Sequence, residues 1–167
     1  MSNRGYFGIV LYQPKTIKNF GTLIRSATNF GAAFICTVGQ RYTRQKGDTE
    51  DALRHYPGFH FATLSQCLGA IPREAEVIRV EMDGVTSLPV MHHPERAVYV
   101  FGGEDRSVPE IPHSQSIIIP SKRCLNLAVA ASIVMYDRIS RARGNSLNNG
   151  DERGVVGGGG IRLEVRR

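Results

Sequence analysis

The chain has 167 residues, 41% of them hydrophobic and 22% charged, enough for one well-buried core and too short for two domains of ordinary size. No apolar run reaches the roughly 18 residues a membrane span needs, and Met1 to Gly8 has no long apolar segment ahead of a small-residue cleavage site. A formal charge of +6 and a pI near 9.5 favour a polyanionic partner, while the odd, widely spaced cysteines Cys36, Cys67 and Cys124 suit reduced thiols in a cytoplasmic protein.

Short apolar runs at Tyr6 to Tyr12, Ala33 to Val38, Glu76 to Val80, Ala97 to Phe101 and Ser116 to Ile119 read as buried strands. After the first of them, Phe20, Leu23, Ala27 and Phe30 recur at helical spacing, with Thr22, Arg25, Ser26 and Asn29 off that face. Phe59 to Ala62 reads as a short strand and Leu64 to Ile71 as a helix, whereas the stretch from Leu53 carries no clear period. A last helix is predicted from Leu125 to Arg143, apolar around most of its circumference, so it must be covered on more than one side, by its own monomer or by a second copy of the chain. Strands alternating with helices predict an α/β fold with a mostly parallel sheet. Residues 1–143 form the predicted domain, and 144–167, with the run Gly157 to Gly160, a flexible Gly-rich basic tail.

Three segments couple glycine or a small polar residue to a strand end or helix, where open α/β sheets bind ligands. The first is Asn19 to Gly31, NFGTLIRSATNFG; the second is Val100 to Pro109, VFGGEDRSVP; the third is Ile117 to Ala131, IIIPSKRCLNLAVAA. Each is weak alone, because paired glycines after a strand mark many nucleotide-binding turns. Their order and spacing together are specific.

In that order the three segments resemble the SpoU/TrmH branch of the knotted SPOUT methyltransferases over most of residues 6–143, and in particular its smallest, single-domain members. The resemblance implies an S-adenosylmethionine-dependent RNA ribose 2′-O-methyltransferase acting on tRNA or rRNA, built as a homodimer. It implies a deep trefoil knot formed by the chain from about Phe101 onward, which periodicity alone could never suggest. It places Asn19, an essential arginine at Arg25, and the pair Phe30 and Gly31 in the first motif; Phe101, Gly102, Gly103 and Glu104 in the second; and Pro120, Cys124, Leu125 and Asn126 in the third. The cofactor is expected against backbone near Val80 and Glu81, Gly102 and Gly103, and Ile119 to Leu125. Two departures stand out: Ser107 replaces a usual glycine, and only Ser121, Lys122 and Arg123 separate Pro120 from Cys124, which itself stands where the family has serine.

The reaction asks for attack of a ribose 2′-oxygen on a sulfonium methyl, so positioning and charge stabilisation dominate. Arg25 is the expected catalytic residue. A guanidinium with a pKa above about 12 is a poor base; it suits a bidentate phosphate clamp and the stabilisation of a developing alkoxide. Asn19 is expected to orient Arg25 or the RNA, with helix capping as the equal alternative, and Asn126 to close the cofactor pocket or cap a helix. Glu104 is expected to neutralise or aim Arg25. No histidine neighbours Cys124 in its motif, and direct methyl transfer needs no thiolate nucleophile. His55, His60, His92, His93 and His113 show no metal-ligand spacing, so no metal is expected.

RNA contact is assigned to the basic loop Arg41, Tyr42, Arg44 and Lys46 and to Lys122 and Arg123, cations with an aromatic able to stack on a splayed base. The alternative function is a noncatalytic RNA-binding protein with a degenerate methyltransferase site. A dinucleotide-dependent oxidoreductase is disfavoured, because Gln13, Pro14 and Lys15 follow the first strand in place of GxGxxG.

Overall fold

The computed structural model describes residues 5–15, 18–39 and 56–148, the side chains of 18–19 and 143–148 excepted. Seven strands form one wholly parallel sheet in the order β3-β2-β1-β6-β4-β7-β5. They are β1 Tyr6–Tyr12, β2 Phe34–Val38, β3 Gly58–Phe61, β4 Glu76–Val80, β5 Thr86–Ser87, β6 Arg96–Gly102 and β7 Gln115–Ile118. The helices are α1 Lys18–Phe30, α2 Leu64–Ala70 and α3 Leu127–Asn148, with a 3-10 turn at Leu88–Val90. No helix among the described residues is long and apolar enough to cross a membrane.

Alternation along the strands sorts the core into two layers. On one face Phe7, Ile9 and Leu11 of β1 and Ala97, Tyr99 and Phe101 of β6 pack with Leu23, Ile24 and Ala27 of α1 and Ala131, Val134 and Met135 of α3. On the other, Val10, Val98 and Val100 meet Cys36, Val38 and the α2 residue Cys67. Continuous apolar runs are what a strand covered on both faces requires, which is why β1 and β6 lie where the sequence predicts them.

Local chemistry sets the helix ends. Thr63 Oγ1 accepts from the Gln66 N–H while Gln66 Oε1 accepts from the Thr63 N–H, a reciprocal box that starts α2. At the end of α1 the Ala32 N–H donates to the Ala27 carbonyl and the Gly31 N–H to that of Thr28. Gly31, at φ 74°, supplies the left-handed residue this closure needs.

The last helix begins two residues later than predicted, because Asn126 caps it: Asn126 Oδ1 accepts from the N–H groups of Ala128 and Val129. Its backbone continues to Asn148, so residues 144–148 extend the helix where the sequence predicts a flexible tail; residues 149–167 lie outside the described part. The two-residue β5 has no counterpart in the sequence reading. It matters topologically, since β7 is inserted between β4 and β5, strands that only residues 81–85 join. That join lies tight on β7, with the Glu81 N–H donating to the Ile117 carbonyl and a Cβ at Gly84 falling 2.1 Å from the Ile117 carbonyl carbon.

Candidate active site

β1 sends the chain to one side of the sheet and β6 to the other, so a crevice opens between their carboxyl ends. A cavity of about 430 Å³ lies at this end, lined by the ends of β4 and β6, the loops that follow them, and the approach to α3. Of the residues assigned to the cofactor, Val80, Glu81, Gly102, Gly103, Ile119, Cys124 and Leu125 line it. Pro120 and Asn126 do not; Pro120 is exposed and Asn126 is occupied as the cap of α3.

The paired glycines are required by close backbone packing. A Cβ on Gly102 would fall 2.2 Å from the Arg106 carbonyl oxygen, and one on Gly103 would fall 2.1 Å from that of Gln13. The loop 102–107 therefore folds tightly on itself and against the end of β1, where Gln13 takes an unusual positive φ of 47°. Glu81 braces the same loop from beneath, its Oε1 accepting from the Val108 N–H at 2.6 Å. Burial raises the Glu81 pKa above the ordinary carboxylate value, and that hydrogen bond acts against the rise.

Glu104 accepts a hydrogen bond from the Lys15 N–H at 2.8 Å, and Lys15 Nζ pairs with Asp105. This clip ties the second motif to the segment leading into α1, a use of Glu104 that the sequence reading did not include. Arg25 is exposed on α1 and lies outside the cavity lining. Asn19 sits in the first turn of α1, its side chain outside the described residues, as are Arg41, Tyr42, Arg44 and Lys46. Lys122 and Arg123 are exposed in the turn between β7 and α3, where Ser121 Oγ donates to the Arg123 carbonyl.

The sequence reading missed Met82, Asp83, Asp105 and Arg106 as lining residues. Charged loop residues look alike in sequence whether they face a ligand or bulk water, so no signal marks them. With Glu81 and Glu104 they make the lining rich in carboxylates. Such a lining suits a ligand bearing positive charge, and the close-packed glycine backbone suits one held by main-chain groups.

The family model of the SpoU rRNA methylases matches residues 6–136. The chain belongs to the SpoU rRNA methylase family. Its members are RNA methyltransferases that use S-adenosylmethionine, and the cavity fits that cofactor: its volume is adequate for a small-molecule site, and the carboxylates complement a sulfonium and an ammonium group. No curated protein matches the chain by sequence.

Among solved structures, one that gave insight into 2-OH methylation of C/U34 on tRNA is 26% identical, with a TM-score of 0.74 and coverage of 85% of this chain and 99% of that one. The SpoU methyltransferase AviRb from Streptomyces viridochromogenes is 17% identical, with a TM-score of 0.74 over 84% of this chain and 61% of its own. The A. aeolicus TrmH/SpoU tRNA modifying enzyme, also 17% identical, superposes with a TM-score of 0.70 over 86% of this chain and 78% of its own. The last two show the fold alone.

Proposed function

We propose that this methyltransferase acts on the wobble ribose of tRNA, transferring a methyl group from S-adenosylmethionine to the 2′-oxygen. The observation that supports this target is the match across 99% of a chain that is connected with C/U34 methylation on tRNA. Bound S-adenosylmethionine supplies an electrophilic methyl group on a sulfonium. The protein's residues supply position. The 102–107 loop, held by Glu81 and by the Lys15 clip, walls the cavity, while Cys124 and Leu125 close it from the α3 side.

Arg25 is the proposed catalytic residue. Exposed on α1, it is open to RNA, and its guanidinium is suited to hold a phosphate beside the reacting ribose and to stabilise charge on the attacking oxygen. Asn19, in the first turn of the same helix, is proposed to orient Arg25 or the RNA. Arg41, Tyr42, Arg44, Lys46, Lys122 and Arg123 are proposed to contact the RNA backbone and an unstacked base.

Incubation of the protein and S-adenosylmethionine with separate tRNA and rRNA transcripts, followed by nucleoside mass spectrometry, tests the target. A 2′-O-methylated nucleoside at tRNA position 34 is expected. Methylation confined to rRNA, or to a tRNA position outside the anticodon, would overturn the assignment.

The protein is proposed to be a cytoplasmic homodimer that meets its partner along α3. Val129 and Tyr136 on that helix are 47% and 63% exposed although their neighbours Val134 and Met135 are fully buried, and large apolar surface on a helix favours association. Light scattering should report about twice the chain mass; a monomer at micromolar concentration would return this face to solvent.

A further inference from the structure

The described residues lining the cavity include four carboxylates, Glu81, Asp83, Glu104 and Asp105, and a single cationic side chain, Arg106. Three of the acids are engaged: Glu81 holds the Val108 N–H, Glu104 accepts from the Lys15 N–H, and Asp105 pairs with Lys15 Nζ. Arg106 is different in kind. Its main chain closes the tight loop, the N–H donating to the Gly103 carbonyl and its own carbonyl packed against Gly102, while the residue remains exposed at the cavity. The backbone is thus fixed at both sides of Arg106, so its side chain springs from a tightly held turn in the cavity wall.

S-adenosylmethionine carries two positive groups, the sulfonium and the ammonium, and one negative group, the methionine carboxylate. The acids answer the first two; only Arg106 answers the third among the described lining side chains. We propose that Arg106 binds the methionine carboxylate of S-adenosylmethionine and so makes the site selective for the amino acid end of the cofactor. A guanidinium forms two parallel hydrogen bonds with a carboxylate, a geometry that a neutral end group cannot replace. This rests on the cofactor assignment above.

Decarboxylated S-adenosylmethionine keeps the adenosine, sulfonium and amine and lacks the carboxylate, so it isolates the contact. Titration calorimetry of the full chain with both compounds, for the wild type and for Arg106→Ala and Arg106→Lys, makes the test, with thermal melting to confirm that each variant folds. Wild type should bind S-adenosylmethionine about 10-fold or more tightly than the decarboxylated compound. Arg106→Ala should lose that preference by weakening S-adenosylmethionine alone, and Arg106→Lys should recover part of it. A preference that survives in Arg106→Ala, or equal weakening of both compounds, overturns the proposal, as does a variant that weakens only tRNA binding. Failure of the wild type to bind either compound overturns the cofactor reading with it.

Discussion

The two ends of the parallel sheet are both rich in charged side chains and use them in opposite ways. At the carboxyl end, Asp83, Asp105 and Arg106 are exposed at an open cavity, and Lys122 and Arg123 in the turn that adjoins it. Toward the amino end of β6, a comparable set is spent on holding the fold. His93 bridges Tyr99 and Asp137, with its Nδ1 2.6 Å from the Tyr99 hydroxyl and its Nε2 2.8 Å from Asp137 Oδ2. Arg138 donates to the carbonyls of Pro94 and Glu95 and to the Tyr99 hydroxyl while lying over the Phe7 ring. Arg141 donates to the carbonyls of Met91 and Pro89 and pairs with Asp137. A satisfied network clamps α3 to the segment before β6; at the other end Asp105 pairs with Lys15, while Asp83 and Arg106 stand exposed at the cavity. Satisfaction, more than polarity, separates structural from functional chemistry here.

That contrast is sharpest when the proposed catalytic arginine and one arginine of the network are removed in turn. Arg25→Ala should leave melting temperature and cofactor affinity near wild type yet lower single-turnover methyl transfer by about 10² or more, the loss typical of a removed transition-state contact. Near-normal transfer would take Arg25 out of the mechanism and weaken the contrast. Arg138→Ala should do the reverse. It removes the charge-assisted donor of the Pro94 and Glu95 carbonyls and one of the two partners of the Tyr99 hydroxyl, so chemical denaturation should show a loss of about 2 kcal/mol with cofactor affinity little changed. A variant as stable as wild type would show the network to be ornamental to the fold.

The same network predicts a pH dependence that the open end does not share. Burial holds the His93 pKa below its ordinary value of 6.5, with Asp137 raising it and Arg138 and Arg141 lowering it. The unfolded chain then takes up a proton near pH 6.5 that the folded chain resists, so stability falls as pH drops from the unfolded value toward the lower folded one. In His93→Gln this part of the acid loss should be absent from denaturation curves taken across that range. An unchanged slope would assign the acid sensitivity to other groups.

How much of this the sequence carried depends on whether a feature is local. The apolar runs of β1 and β6 sit where they were predicted because burial on both faces writes itself as continuous hydrophobic sequence. Gly102 and Gly103 were legible as a pair needing close approach, although only the fold shows that Gln13 and Arg106 are what they approach. The β5 strand, two residues of Thr and Ser, has no pattern to read and exists because β7 pairs with it. The His93–Asp137 contact joins residues 44 apart, and nothing in either neighbourhood announces the other. Asn126 shows the middle case, in which the sequence allowed both a pocket residue and a cap, and the hydrogen bonds to Ala128 and Val129 make it the cap.

Cys124 belongs to the open end and gives the smallest expected effect. It is exposed, lines the cavity, and its thiol makes only a weak contact with the Leu125 carbonyl at 3.6 Å. The family motif has serine at this position, and a hydroxyl is a stronger donor and acceptor at nearly unchanged volume. Cys124→Ser should therefore match wild type or exceed it slightly in single-turnover methyl transfer, and Cys124→Ala should lose no more than one weak contact. Both follow if residue 124 shapes the cavity wall and the methyl group passes directly to the ribose oxygen. A thiolate that attacked the methyl group would make both variants equally inactive and would leave a methylated enzyme visible by intact-mass analysis. Activity lost by orders of magnitude in both, with S-adenosylmethionine and RNA still bound, would move Cys124 from the cavity wall to the reacting atoms and end direct transfer as the mechanism.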